Sequence, residues 1–164
     1  MGAGKTSVAK QLSQLIGFPF YDTDLEIEKK TGVSVSWIFQ VETEAGFRKR
    51  ETEMIDTLTQ EKGIILSTGG GSIVSSENRQ FLKERGFIAY LTVSFDLQFE
   101  RTKRHRGHRP LIDYPDADNR LKKLNEERQS LYEEIADKNY CTDEQNPRNI
   151  AYKIYQDFLV IAKA

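Results

Sequence analysis

Apolar residues recur along the chain with two periods, and each change of period marks a new element. "GKTSVAKQLSQLIG" carries Val8, Leu12, Leu15 and Ile16 at helical spacing and stops at Gly17. "FPFYDTD" is a short apolar run ending in acids and reads as a strand; "LEIEKKTG" returns to helix. "SVSWIFQVE" and "EAGFRKRETEMIDTLTQEK" read as two further helices, the first with Ser34 as its cap. "IILST" runs unbroken into Gly69-Gly70-Gly71, as suits a strand buried on both faces of a parallel sheet. "SENRQFLKER" is helical, "FIAYLTV" is the next buried strand, and "FDLQFERTKR" is helical. "HRGHRPLIDYPDAD" is a polar loop. "NRLKKLNEERQSLYEEIAD" is a long helix, "NYCTD" a last short strand, and "PRNIAYKIYQDFLVIAKA" a closing helix with Pro147 in its first turn. Strands separated by helices predict an α/β domain with a parallel sheet. The 164 residues contain no internal repeat and suit one domain.

Composition narrows the reading. Hydrophobic residues at 38% and charged residues at 30% are ordinary for a soluble globular protein. A net charge of -1 gives no overall field for nucleic acid or an anionic membrane, so any anion site must be built from local arginines. The single cysteine, Cys141, forms no internal disulfide, which points to a reducing compartment, the cytoplasm. It is expected to be a buried strand residue rather than a nucleophile, and Trp37 and the helically spaced Phe and Tyr residues are expected in the core. The most apolar stretch near the end, "FLVIA", is far too short to span a bilayer.

Ligands of parallel sheets bind beyond the carboxyl ends of the strands, and three signals fall at that edge. The first is Gly2-Ala3-Gly4-Lys5-Thr6, the back half of a phosphate-binding loop. Backbone N–H groups there would wrap phosphate oxygens at a helix N-terminus, Lys5 would reach the β- and γ-phosphates, and the Thr6 hydroxyl would ligate Mg²⁺. The second is Asp22 and Asp24 in "FYDTD", two residues apart on one face of an extended segment. One could lie near Mg²⁺ through water and the other accept a proton from a substrate hydroxyl; alternatively, Asp24 simply caps the following helix. The third is Gly69-Gly70-Gly71, which lets backbone approach a ligand closely. Arg48 in "FRKRE" sits beside the core residue Phe47, with Glu51 three residues on to hold its guanidinium. Arg128 alone could equally be a surface ion pair. "RTKRHRGHRP" concentrates cations without an acid and reads as a mobile basic loop closing over ATP. His105 and His108 lack a partner set for a metal.

Together these residues resemble the shikimate kinase family, the small ATP-dependent kinases of aromatic amino-acid biosynthesis. The resemblance rests on "GAGKT", "FYDTDLEIEKKTG", "FRKRE", "STGGGS", "RPLI" and "ERQSLYEEIAD", in the family's order from residue 1 to the final helix. It implies a single P-loop kinase domain over 1–164, a three-layer α/β/α sandwich around a central parallel sheet. A substrate-binding region would lie at about 23–62 and a lid at about 104–118. It implies that the chain phosphorylates the 3-hydroxyl of shikimate with ATP and Mg²⁺, as a cytoplasmic monomer with small-molecule partners, no nucleic acid and no membrane. Lys5, Asp24 and Arg109 would be catalytic, with Asp24 binding and deprotonating the hydroxyl. Arg48 and Arg128 would clamp the substrate carboxylate, with the Gly70 backbone also binding substrate. Gly2, Ala3, Gly4, Lys5, Thr6, Ser7, Arg101, Arg109 and Gln145 would contact ATP, and Thr6 and Asp22 the metal. The other readings kept open are a related kinase of another small acid, such as gluconate, and a non-catalytic nucleotide-binding module.

The phosphate-loop pattern begins with a glycine separated by four residues from Gly4, a position ahead of Met1. The strand that would deliver the loop falls earlier still. The expectation is therefore that Met1 is not the natural start or that the chain was cut short, and that a version extended through this strand is more stable and binds ATP better.

Overall fold

Asp22 sets the first functional corner of the fold. The computed structural model describes residues 2–103, 117–143 and 145–161. Helix α1 (Lys5–Ile16) is entered through Gly4 at φ 80 and left through Gly17 at φ 77, both in the left-handed region that favours glycine. Strand β1 (Phe20–Asp22) passes straight into α2 (Thr23–Thr31), because the Asp22 carboxylate accepts the Asp24 N–H at 3.1 Å. The cap is thus Asp22 rather than Asp24, and the Asp24 side chain is released from that duty.

Ser34 caps α3 (Val35–Thr59) by accepting the Trp37 N–H at 3.2 Å. The two helices expected here meet at Thr43, whose φ of 65 and ψ of 176 break the helix. Arg50 bridges the break with two 2.8 Å bonds to the Glu42 carboxylate. Strand β2 (Ile65–Ser67) leads through the triple glycine into a short 3₁₀ turn (Ser72–Val74) and α4 (Ser76–Arg85). Then follow β3 (Ala89–Thr92), α5 (Phe95–Lys103), α6 (Ala117–Ile135), β4 (Lys138–Cys141) and α7 (Pro147–Ile161).

All pairings are parallel, as expected. β1 pairs with β2 from Phe20↔Ile65 to Asp22↔Ser67, and β3 with β4 from Ala89↔Lys138 to Thr92↔Cys141. Among the described residues these form two separate pairs rather than one continuous sheet. Two cores reflect that division. Ile64 and Leu66 pack with Ile27, Ile38, Phe47 and Leu58 of α2 and α3. Phe87, Ala89 and Leu91, alternate positions of one face, pack with Val8, Ile150 and Ile154 of α1 and α7. Tyr90, on the other face, stacks on Tyr132 of α6 with ring centroids 4.9 Å apart. The strands are therefore flanked by helices on both faces, as in the expected three-layer arrangement.

Between the pairs lies a cavity of about 1020 Å³, walled by Ile64–Gly70 and by Phe87–Val93.

Three core expectations fail, one of them at Tyr152, which is 55% exposed on α7. Cys141 is exposed, because only Tyr140 of β4 turns its side chain inward. Trp37 is 46% exposed on the first turn of α3, where Ile38 takes the core position instead. The basic loop, with His105, His108, Arg109 and "RPLI", lies outside the described residues.

Candidate active site

The glycine run after β2 is the surface on which the charged side chains gather. Glu51, on the buried face of α3, is 0% exposed and accepts from Arg48 Nη1 at 2.7 Å, as the i,i+3 spacing predicts. Arg48 also bonds Glu44 at 3.0 Å. A Cβ built on Gly69 would lie 2.7 Å from Glu51 Oε1 and 3.1 Å from Asp24 Oδ1; one built on Gly71 would collide with the Arg48 guanidinium. The glycines are therefore required by the side chains packed on them: two carboxylates at Gly69 and an arginine at Gly71.

The backbone of this turn is held from two sides. The Thr23 hydroxyl accepts the Gly69 N–H at 3.1 Å. From α6, Arg128 Nη1 and the Tyr132 hydroxyl both donate to the Gly70 carbonyl, at 3.1 and 2.5 Å. Arg128 is buried, which removes the surface ion-pair reading. Tyr132 lies one turn from Arg128, so the i,i+4 spacing was its only sequence signal. Burial pushes its hydroxyl up to about 12, keeping it a donor at neutral pH.

Asp24 Oδ1 and Glu51 Oε1 are buried without a hydrogen-bond partner among the described residues. Burial raises the pKa of Asp24, the Asp22 carboxylate raises it further, and Lys5 and Arg48 oppose both. Burial likewise raises Glu51, against the pull of Arg48. The site thus combines an unsatisfied, proton-avid carboxylate with two arginines converging on one glycine turn. Such a set can hold a planar anion at one end and take a hydroxyl proton at the other.

The phosphate end is anchored separately. Arg101 donates to the Gly2 carbonyl at 3.2 Å and to Thr142 Oγ1 and O at 3.3 and 3.2 Å, tying the loop to the end of β4. Thr6 and Ser7 are exposed at the start of α1, and Lys5 lines the cavity mouth with Ala3. Gln145, just after β4, accepts from Lys153 at 2.9 Å. Among the described residues there is no cluster of three or more potential metal ligands of the His, Cys, Asp and Glu types.

Gly69→Ala is expected to lower turnover about 10–100-fold, since its methyl would drive the two carboxylates out of position. Steady-state rates with a parallel thermal melt check this; an unchanged rate would show that the Asp24–Gly69 packing does not matter for activity.

A family model described as shikimate kinase matches residues 1–159. The shikimate kinase of Histophilus somni is 48% identical over 94% of this chain and 88% of its own length. That of Coxiella burnetii (strain RSA 331) is 48% identical over 96% and 88%. The solved structure of shikimate kinase from Acinetobacter baumannii in complex with shikimate superposes with a TM-score of 0.93 at 44% identity, covering 98% of this chain and 89% of that one. The Aquifex aeolicus enzyme gives a TM-score of 0.82 at 32% identity over 100% and 94%.

Proposed function

The chain belongs to the shikimate kinase family, and on that footing we propose how its own residues transfer the γ-phosphoryl group of ATP to the 3-hydroxyl of shikimate. Arg48 and Arg128 hold the substrate carboxylate, and the Gly70 backbone fixes the ring against the glycine turn. Asp24 accepts the hydroxyl hydrogen bond and takes its proton as the oxygen bonds to the γ-phosphorus. The bond from that phosphorus to the β–γ bridging oxygen breaks, and its electron pair leaves with ADP. Lys5, with Arg109 from the lid at about 104–118, offsets charge on the moving group; alignment and charge stabilisation carry such transfers. Gly2, Ala3, Gly4, Thr6 and Ser7 cradle the phosphates, with Arg101 and Gln145 on the nucleotide side.

The observation that carries this reading is the unpartnered Asp24 Oδ1, buried beside Gly69 within the field of Lys5 and Arg48. A buried acceptor of this kind needs a donor, and a substrate hydroxyl provides one.

The donors at the phosphate end suit Mg²⁺: the exposed Thr6 hydroxyl and the half-buried Asp22 carboxylate are hard oxygens. When bound, the ion neutralises charge on the β- and γ-phosphates. No helix of the described residues is long and apolar enough to cross a membrane. We place the enzyme in the cytoplasm as a monomer acting on small molecules, without nucleic acid or membrane partners.

Coupled ADP release with shikimate, with gluconate and with no acceptor tests the reading on this chain. Shikimate alone should stimulate release. Stimulation by gluconate instead would contradict it, as would calorimetry showing ATP binding without shikimate binding.

A further inference from the structure

Two side chains of α6 converge on a single carbonyl. Arg128 Nη1 and the Tyr132 hydroxyl donate to the Gly70 oxygen at 3.1 and 2.5 Å. A carbonyl oxygen has two lone pairs, so this one is filled by the protein itself. What the glycine turn can still offer a ligand is its N–H groups. The peptide joining Gly70 to Gly71 is planar, and its C=O and N–H point in opposite directions. Holding the Gly70 oxygen toward α6 therefore aims the Gly71 N–H away from α6. That N–H belongs to a buried residue and makes no hydrogen bond among the described residues. The Arg48 guanidinium lies over the same glycine, where a Cβ would strike it. A buried donor left open beside an arginine suits an anionic acceptor.

The same carbonyl orients Arg128. This arginine is buried, yet its one hydrogen bond among the described residues is the Nη1 contact to Gly70. Its other N–H groups are left for a ligand. Tyr132 is itself braced: its ring stacks on Tyr90 of β3, with centroids 4.9 Å apart and planes 17° from parallel. The hydroxyl thus comes from a ring fixed against a strand, and it stays a donor at neutral pH because burial pushes its pKa up to about 12.

We propose that Tyr132 is a positioning residue for the acceptor site. By holding the Gly70 carbonyl it sets the direction of the Gly71 N–H and the orientation of Arg128, and so the fit of a planar anion beneath Arg48. Tyr132 touches no substrate in this role. The role rests on the kinase reading for the identity of that anion, the carboxylate of shikimate. Bidentate recognition of a carboxylate depends on the angle of each donor, so a turn free to rotate weakens it without affecting the nucleotide end.

Tyr132→Phe removes the hydroxyl and keeps the ring on Tyr90. In ADP-release assays it should raise the KM for shikimate about tenfold. Its kcat should stay within about threefold and its KM for ATP within about twofold of the unmodified values. Ile154→Val, which loosens the core between α7 and β3, controls for general loss of stability and should leave the shikimate KM unchanged. An unchanged shikimate KM in Tyr132→Phe would overturn the proposal, as would KM values for shikimate and ATP that rise together, or an equal rise in Ile154→Val. A second readout needs no substrate. The amide resonance of Gly71 should shift or broaden in Tyr132→Phe, while that of Gly17, bonded to the Ser13 carbonyl at 2.9 Å, stays in place. An unmoved Gly71 resonance overturns the proposal even if the unmodified chain proves inactive on shikimate, a result that would count against the kinase reading alone.

Discussion

Asp24→Asn is expected to lower kcat for shikimate phosphorylation by about 10²–10⁴-fold with little change in shikimate affinity. Asparagine keeps the shape and can accept the hydroxyl hydrogen bond, but it cannot take the proton. The pH profile gives a second check. Burial and the neighbouring Asp22 carboxylate raise the Asp24 pKa above its ordinary value of 3.8, with Lys5 and Arg48 opposing. The proposed base works only when ionised, so the acid limb of kcat/KM should lie above pH 3.8 and fall as pH drops through the raised value. For stability the sign is the reverse. A carboxyl that holds its proton more tightly when folded contributes stability below pH 3.8, and this is lost as pH rises through the folded value. Asp24→Asn should therefore leave Tm unchanged or raise it at neutral pH.

Arg48→Ala is expected to raise the KM for shikimate about 10–100-fold, as loss of a charge-assisted pair implies, while the KM for ATP stays within a few-fold. Its guanidinium is held by Glu51 at 2.7 Å and Glu44 at 3.0 Å, so it is oriented before substrate arrives. Removal would also leave the fully buried Glu51 carboxylate without its partner, at a cost of about 3–5 kcal/mol. The double variant Arg48→Ala/Glu51→Ala separates the two roles. Thermal melts should show stability recovered relative to Arg48→Ala, while the KM for shikimate stays high. Recovery of both would reduce Arg48 to a structural residue.

Most elements were legible because apolar periodicity tracks burial on helices and parallel strands, as Val8 and Ile16 do in α1 and Ile64–Leu66 beside α3. Local caps were less so. Both Asp22 and Asp24 suit an N-cap, and only the chain geometry selects Asp22. Spacing also missed exposure: Trp37 and Cys141 look like core by type but sit on outward positions. In the site, Arg48–Glu51 was visible as an i,i+3 pair, and the glycine run as a place of close approach. Sequence could not say that what approaches Gly69 and Gly71 is the protein's own Asp24, Glu51 and Arg48, since those contacts join separate elements. Nor could it show Tyr132 on the Gly70 carbonyl, which depends on how α6 crosses the turn.

The most direct test of the site assignment is ADP release against shikimate concentration for the unmodified chain, Asp24→Asn and Arg48→Ala. The account predicts a split: Asp24→Asn loses kcat and keeps KM, whereas Arg48→Ala loses KM for shikimate far more than for ATP. An Asp24→Asn variant that turns over at the unmodified rate, or an Arg48→Ala variant with unchanged shikimate KM, would contradict it.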